Sequence, residues 1–344
     1  MTDDSDRRII RVSGSPYETG LYLGRAVRGR MEVNIERYLD AITARYGELD
    51  RDRLALRGQT WYRELPMRFQ EEIQGLAEGA NIPLERLIEF YAADTMLAES
   101  GCSGIICMDR FHSWVGRNND WLAPELWGYA TIREIRGRIP TLTFGMEGDI
   151  FSVTGINRER LWLHHNYLRA DDLPSAQKPC LDYFVWVTEA LETCRTIADV
   201  RDKLDSVDRT GGMMLFVVDG KTYQSAIYDC SCSRYRSRYH ARWTAGTNHV
   251  PGRFDRRRDD PGSAARLQRI EELADTMLSS TREADLPGEL INLLGDEGVE
   301  QRGDPYWTVY SAVACPAAGD VWYTFGGYPA ARQGNWRKIA WPWS

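Results

Sequence analysis

The chain has 344 residues, 43% hydrophobic and 27% charged, which allows a sizeable core and excludes a disordered protein. A net charge of −7 and an isoelectric point of about 5.4 argue against a nucleic-acid surface. No apolar run approaches the roughly 20 residues that span a bilayer, "MTDDSDRRIIRV" lacks a signal-peptide core, and seven scattered cysteines suit reduced thiols, so the expected location is cytoplasmic.

Residues 1–97 read as largely helical. In "PYETGLYLGRAVRGRMEVNIERYLDAITARYG" the residues Leu21, Val27, Met31, Ile35, Leu39 and Ile42 share one helical face, and Gly47 is a stop signal. "LPMRFQEEIQGLAEGANIPLERLIEFYAADTML" predicts two helices, broken at Asn81 and Pro83. The pattern changes after Cys102. "SGIICM" and "SWVGRNNDW" predict a hairpin turning at "DRFH". Short strand-like runs follow: "YATIREIRG", "TLTFGMEG", "FSVTGIN" and "LWLHHNYL". Residues 183–206 return to helix. "GMMLFVVDGKTYQSAIYDCS" is a hairpin with Asp219–Gly220 at its turn. The basic run in "GRFDRRRDDPG" is interleaved with acids and reads as a solvated loop. "SAARLQRIEELADTMLSS" is helical, and "YWTVYSAVACPAAGDVWYTFGG" is a closing pair of strands. Strands joined mostly as hairpins, with helices between the bunches, predict antiparallel sheets covered by helices.

The chemistry centres on Gly101–Cys102. A cysteine at a chain start carries its own base, because a free α-amino group has a pKa of about 7.7–8.0 and accepts the thiol proton near neutrality. Exposing that amine here requires cutting the Gly101–Cys102 bond. The thiol can do so by attacking the preceding carbonyl, and Gly101 offers no side chain to obstruct it. "GRNNDW" follows on the returning strand. Asp120 is placed to hold the amine, and Arg117 to bind substrate or tune Asp120. Asn166 and Asn248 end strand-like runs, and a side-chain amide is a suitable oxyanion donor.

These motifs resemble the N-terminal-nucleophile hydrolases. The nearest group is the acyl-coenzyme A:6-aminopenicillanic acid acyltransferases (peptidase C45-like), which are related to the choloylglycine hydrolases. "GCSG" with "GRNNDW" resembles the cleavage site and first hairpin, and "SPYETGLYLGRAV" with "LPMRFQEEIQGLAEGANIP" the helical pro-segment. "GINRERLWLHHNY", "TNHVP", "SAARLQRIEEL" and "TVYSAVACPAAGDVWYTFG" resemble later elements in the same order. The resemblance implies an α+β fold, a four-layer αββα sandwich with a helical N-terminal pro-segment. It implies self-cleavage into residues 1–101 and 102–344, packed as one globular unit, whose chains remain associated. It implies Cys102 as nucleophile, Asp120 orienting its amine, Arg117 beside the nucleophile, and Asn166 and Asn248 at the oxyanion site and N-terminal region. Arg266 matches a further arginine of the site, with Arg269 as the competing alignment.

The implied activity is hydrolysis or acyl transfer on a small-molecule linear amide or thioester, through an acyl-Cys102 intermediate and without cofactor or metal. Where choloylglycine hydrolases usually carry Gly-Leu after the "GxN" turn, this chain has "GINRERLW", which speaks against bile-acid substrates. The reading from another class is a non-catalytic protein that uses the cleft for ligand binding or assembly. Homo-oligomer formation is left open. Neighbouring His164 and His165 point to opposite faces of a strand, which disfavours a Cys–His dyad. Cys230, Cys232 and His240 lack the second ligand pair of a zinc site.

Overall fold

The computed structural model describes residues 7–48, 50–96, 101–239, 242–252, 261–280, 285–303 and 306–343. The basic run at 253–260 and His240 lie outside the described residues. The N-terminal part holds α1 (Pro16–Val27), α2 (Met31–Tyr46), α3 (Arg51–Glu64), α4 (Met67–Ala80) and α5 (Leu84–Met96). A capping box starts α1: Ser15 accepts the Glu18 N–H while Glu18 accepts the Ser15 N–H. Gly47 ends α2 at φ +90°, and left-handed Asn81 ends α4. Leu23 rather than Leu21 is fully buried on α1. The reason is that α1 meets α4 backbone to backbone. A Cβ on Gly20 would lie 2.0 Å from the Glu72 carbonyl oxygen, and one on Gly75 2.1 Å from that of Tyr17. Ahead of the helices lies β1 (Ile9–Gly14), in a region read as helical; it pairs in parallel with β4 (Trp127–Ile135).

After residue 100 the strands dominate. β2 (Gly101–Met108) and β3 (Ser113–Trp121) form the expected hairpin. β5 (Thr141–Met146), β6 (Thr154–Asn157) and β7 (Leu161–Leu168) follow β4. A short parallel pair, β8 (Cys180–Leu181) and β9 (Asp208–Arg209), brackets α6 (Tyr183–Thr193) and α7 (Ile197–Ser206). These two helices replace the single helix read over 183–206, because Thr196 caps a new start. Next come β10 (Gly212–Asp219), β11 (Gln224–Cys230), β12 (Tyr235–Arg238), β13 (Trp243–Gly246), α8 (Pro261–Ser280) and α9 (Leu286–Leu294). The last elements are β14 (Arg302–Gly303), β15 (Tyr306–Cys315), β16 (Asp320–Phe325), α10 (Ala330–Gln333) and β17 (Asn335–Ile339). One sheet runs β1-β4-β5-β6-β7-β10-β11-β12; the other runs β13-β2-β3-β15-β16-β17, with β14 beside β15.

Strand alternation sorts the side chains into layers. Ile106, Val115 and Ala312 from one sheet meet Trp162, Met214 and Phe216 from the other in an inter-sheet core. Their neighbours Ile105, Cys107 and Val313 point outward onto Ile270 of α8 and Leu290 of α9. Leu163, Met213 and Leu215 point outward onto Trp186 of α6 and Val200 of α7. The result is helix, sheet, sheet, helix, the α+β sandwich expected. Leu23, Tyr38 and Phe69 of the N-terminal helices join the inter-sheet core. Among the described residues no helix is long and apolar enough to cross a membrane.

Candidate active site

The β2–β3 turn sets the register of the site. Asp109 Oδ1 accepts the Phe111 and His112 N–H groups at 2.7 and 2.6 Å, and Oδ2 accepts Trp114 Nε1 at 2.7 Å. Cys102 then lies opposite Asn119, Gly104 opposite Arg117, and Gly101 opposite Asp120. Cross-strand partners share a face, so Arg117 and Asn119 stand with Cys102, while Asn118 and Asp120 point the other way.

Gly101 and Cys102, the first residues of β2, are both buried. The Cys102 N–H donates to Asn248 Oδ1 at 2.7 Å. Its Sγ lies 3.7 Å from Asn119 Oδ1 and 3.6 Å from Arg117 Nη2. The fully buried Arg117 also donates to Asn119 Oδ1 at 2.5 Å, to the His165 carbonyl, and to Asn166 Oδ1 at 3.4 Å. This guanidinium fixes a positive charge beside the sulfur.

Asn248 sits just past β13. Its N–H donates to Ser263 Oγ at 2.8 Å, its Nδ2 to the Tyr167 carbonyl at 3.1 Å, and its Oδ1 also accepts Arg266 Nη2 at 3.0 Å. The structure thus brings Arg266 to the site. Arg269 instead pairs with Asp296 and Glu272 at the surface. Asn166 Nδ2 donates to the Gly246 and Thr247 carbonyls, both at 3.1 Å. In this arrangement its two N–H bonds tie β7 to β13.

Asp120 is fully buried. Thr308 Oγ1 donates to its Oδ1 at 2.6 Å and Gln301 Nε2 to its Oδ2 at 3.4 Å. Burial pushes its pKa up to about 6, against the opposing pull of Arg266, the Thr308 and Gln301 hydrogen bonds, and Arg117. In the uncut chain it faces Gly101, not the cysteine side chain.

A narrow cavity of about 40 Å³ opens beside Cys102, Arg117 and Asn119. Its other walls are mostly aromatic, among them Trp121, Trp127, Phe144 and Phe151, with Asp149 and Val153 between them. Phe151 is backed by Trp61 of α3, Phe69 of α4 and Tyr91 of α5, with ring centroids 5.7, 5.3 and 5.1 Å away. A larger cleft of about 460 Å³ is lined by Asn248 and His249, with Arg169, Asp229 and Arg236.

His164 and His165 are otherwise engaged. His164 stacks on Phe216 at 4.2 Å and its Nδ1 accepts Trp162 Nε1 at 2.9 Å; His165 meets Tyr183 edge-on at 5.3 Å. Burial lowers both pKa values well below the ordinary histidine range, so both rings are neutral. Among the described residues no group of three or more His, Cys, Asp or Glu side chains is arranged to hold a metal.

Sequence reasoning missed Asn119, Ser263, Gln301 and Thr308. Two-residue alternation from Arg117 along "GRNNDW" was a usable signal for Asn119. Ser263 opens "SAARLQRIEEL", a match that implied a role for Arg266 and none for the serine. Gln301 and Thr308 carried no local signal, because their partner Asp120 is distant in sequence.

No family model and no curated protein matches the chain. Among solved structures, it is similar to a variant of conjugated bile acid hydrolase from Clostridium perfringens, with a TM-score of 0.50 and 12% identity over 69% of this chain and 92% of that one. Penicillin V acylase from Agrobacterium tumefaciens aligns with a TM-score of 0.47 and 12% identity over 69% and 86% of the two chains. The Caenorhabditis elegans ortholog of N-acylethanolamine-hydrolyzing acid amidase gives 0.46 and 15% over 63% and 93%. The first likeness, at this identity, speaks to fold, and it agrees with the four layers: the chain has the αββα sandwich of the N-terminal-nucleophile hydrolases.

Proposed function

We propose that the chain is a self-processing N-terminal cysteine amide hydrolase or acyltransferase of the acyl-coenzyme A:6-aminopenicillanic acid acyltransferase type. One observation carries this reading: Cys102 opens β2 with its N–H on Asn248 Oδ1 and its sulfur beside Arg117 and Asn119, next to an aromatic cavity. In the first step Cys102 Sγ attacks the Gly101 carbonyl carbon. The C–N bond breaks as the nitrogen gains a proton, leaving a thioester between Gly101 and Cys102. Water hydrolyses it to a Gly101 carboxylate, a free thiol and a free amine. The products, 1–101 and 102–344, stay associated through the core they share.

In turnover the Cys102 amine takes the thiol proton as the sulfur attacks the acyl carbonyl, then passes it to the leaving group. Asp120 and Asn248 hold that amine. Asn166 already donates both its N–H bonds, so we assign the side-chain oxyanion donor to Asn119. Arg117 holds Asn119 Oδ1, which turns Nδ2 away from the guanidinium. The aromatic walls suit an apolar acyl group. The substrate is a small-molecule linear amide or thioester, and the acceptor is water or an amine. None of these steps calls on a metal or cofactor.

Intact-mass measurement tests the reading. The purified wild-type chain is expected to yield a fragment beginning at Cys102, and Cys102→Ala to remain one chain. Activated esters should then acylate Cys102 and turn over. A wild-type chain that stays whole would sink self-processing; stoichiometric labelling without turnover, across a panel of amides and thioesters, would favour a ligand-binding protein.

A further inference from the structure

The glycine before the cut packs against a side chain from the far end of the sequence. A Cβ built on Gly101 would lie 2.1 Å from Gln301 Nε2 and 3.2 Å from Asp120 Cβ. The Gln301 amide thus occupies the space any other residue at 101 would need. The same nitrogen donates to Asp120 Oδ2 at 3.4 Å. Thr308 fixes the Gln301 backbone: Gln301 N–H donates to Thr308 Oγ1 at 2.8 Å, and Thr308 N–H donates to the Gln301 carbonyl at 2.9 Å. Thr308 Oγ1 in turn donates to Asp120 Oδ1 at 2.6 Å. Asp120 stands opposite Gly101 in β2 and opposite Thr308 in β15. One side-chain amide therefore touches both the residue that the cut releases and the acid that meets the new amine.

We propose that Gln301 is a positioning residue for self-cleavage: its amide holds the Asp120 carboxylate beside the amine the cut exposes, and any side chain at position 101 displaces it. This rests on the self-processing reading above. A side chain at 101 drives the amide off Asp120, since the flexible end of Gln301 gives way before the strand backbone does. Shortening residue 301 makes room for that side chain but forfeits the hydrogen bond. The charged groups acting on Asp120 are Arg266 from α8 and Arg117 from its own strand, and the changes at 101 and 301 remove neither.

Processing of the full chain, followed by intact mass against time, tests the steric half. Gly101→Ala should slow appearance of the Cys102-starting fragment by roughly tenfold or more. Gln301→Ala alone should slow it to the same extent, and the double variant should be no slower than either single variant. Unslowed processing of Gly101→Ala, or slowing that adds in the double variant, overturns the proposal. A second readout needs no cleavage. In the uncut Cys102→Ala chain, the labelled Asp120 carboxyl carbon is titrated by NMR. Both Gln301→Ala and Gly101→Ala should raise its midpoint, through loss of the donor. An unmoved midpoint overturns the proposed hold on Asp120, whether or not the wild type cuts itself. A moved midpoint beside an uncut wild-type chain supports that hold and removes self-processing instead.

Discussion

Asp120 is a fully buried acid whose cost to the fold depends on pH. Burial raises its pKa from 3.8 to about 6. The folded uncut chain therefore holds this proton more tightly than the unfolded chain does. Stability falls as pH rises through the window from 3.8 to about 6, and above it the ionised, buried carboxylate carries its full cost. About two pKa units at 1.36 kcal/mol each give a cost of about 3 kcal/mol. Asparagine keeps an acceptor for Thr308 without the charge. In the Cys102→Ala background, Asp120→Asn should match its parent near pH 4 and exceed it by about 3 kcal/mol near pH 7.5, measured by urea unfolding. Parallel stabilities across that range would show that Asp120 is not desolvated as described. The proposed cut would supply a further counter-charge, because a new ammonium would form where the Gly101–Cys102 peptide bond had been.

Among the elements, those with strong local signals were legible and those defined by distant partners were not. The β2–β3 hairpin follows from alternation and Asp109, and the ends of α2 and α4 from Gly47 and Asn81. β1 escaped notice because its partner β4 lies far along the chain. α3 fell within the region read as helical but received no bounds of its own, because it is polar almost all round, burying little besides Leu54 and Gly58. The site divides the same way. Cys102, Arg117 and Asp120 sit in one hairpin motif, whereas Gln301 reaches Asp120 only through the β3–β15 pairing. Inconspicuous as it is, α3 carries Trp61, which packs edge-on at 74° against Phe151 in the wall of the cavity. Trp61→Ala removes that backing and lets Phe151 retreat. The processed variant should shift its preference toward bulkier acyl groups by roughly 10-fold in kcat/KM, the scale set by one methylene in an apolar pocket. A graded series of acyl p-nitrophenyl esters checks this, and an unchanged profile would disconnect α3 from acyl selection.

At the scale of the molecule, the proposed cut divides a buried ionic cluster between the two products. Arg68 and Glu72 of α4 lie before it; Arg133 of β4 and Glu192 of α6 lie after it. Arg68 pairs with both Glu72 and Glu192, and Arg133 lies 3.1 Å from Glu72 and 3.4 Å from Glu192. All four side chains are at most 7% exposed. Two positive and two negative charges balance, so the cluster is neutral as a set and unbalanced by any single loss. A buried ion pair adds little beyond an apolar replacement of the same shape, yet removing one partner costs about 3–5 kcal/mol, because the remaining charge stays buried. Two of the four contacts, Arg68–Glu192 and Arg133–Glu72, cross the proposed cut, while Arg68–Glu72 and Arg133–Glu192 would each stay within one product. Glu192→Ala leaves Arg68 and Arg133 sharing Glu72 alone. After processing, wild-type 1–101 and 102–344 should co-elute in size exclusion through moderate urea, whereas the Glu192→Ala chains should separate at a clearly lower concentration. Co-elution to the same urea concentration would mean that the shared apolar core, without the ionic cluster, holds the two products together.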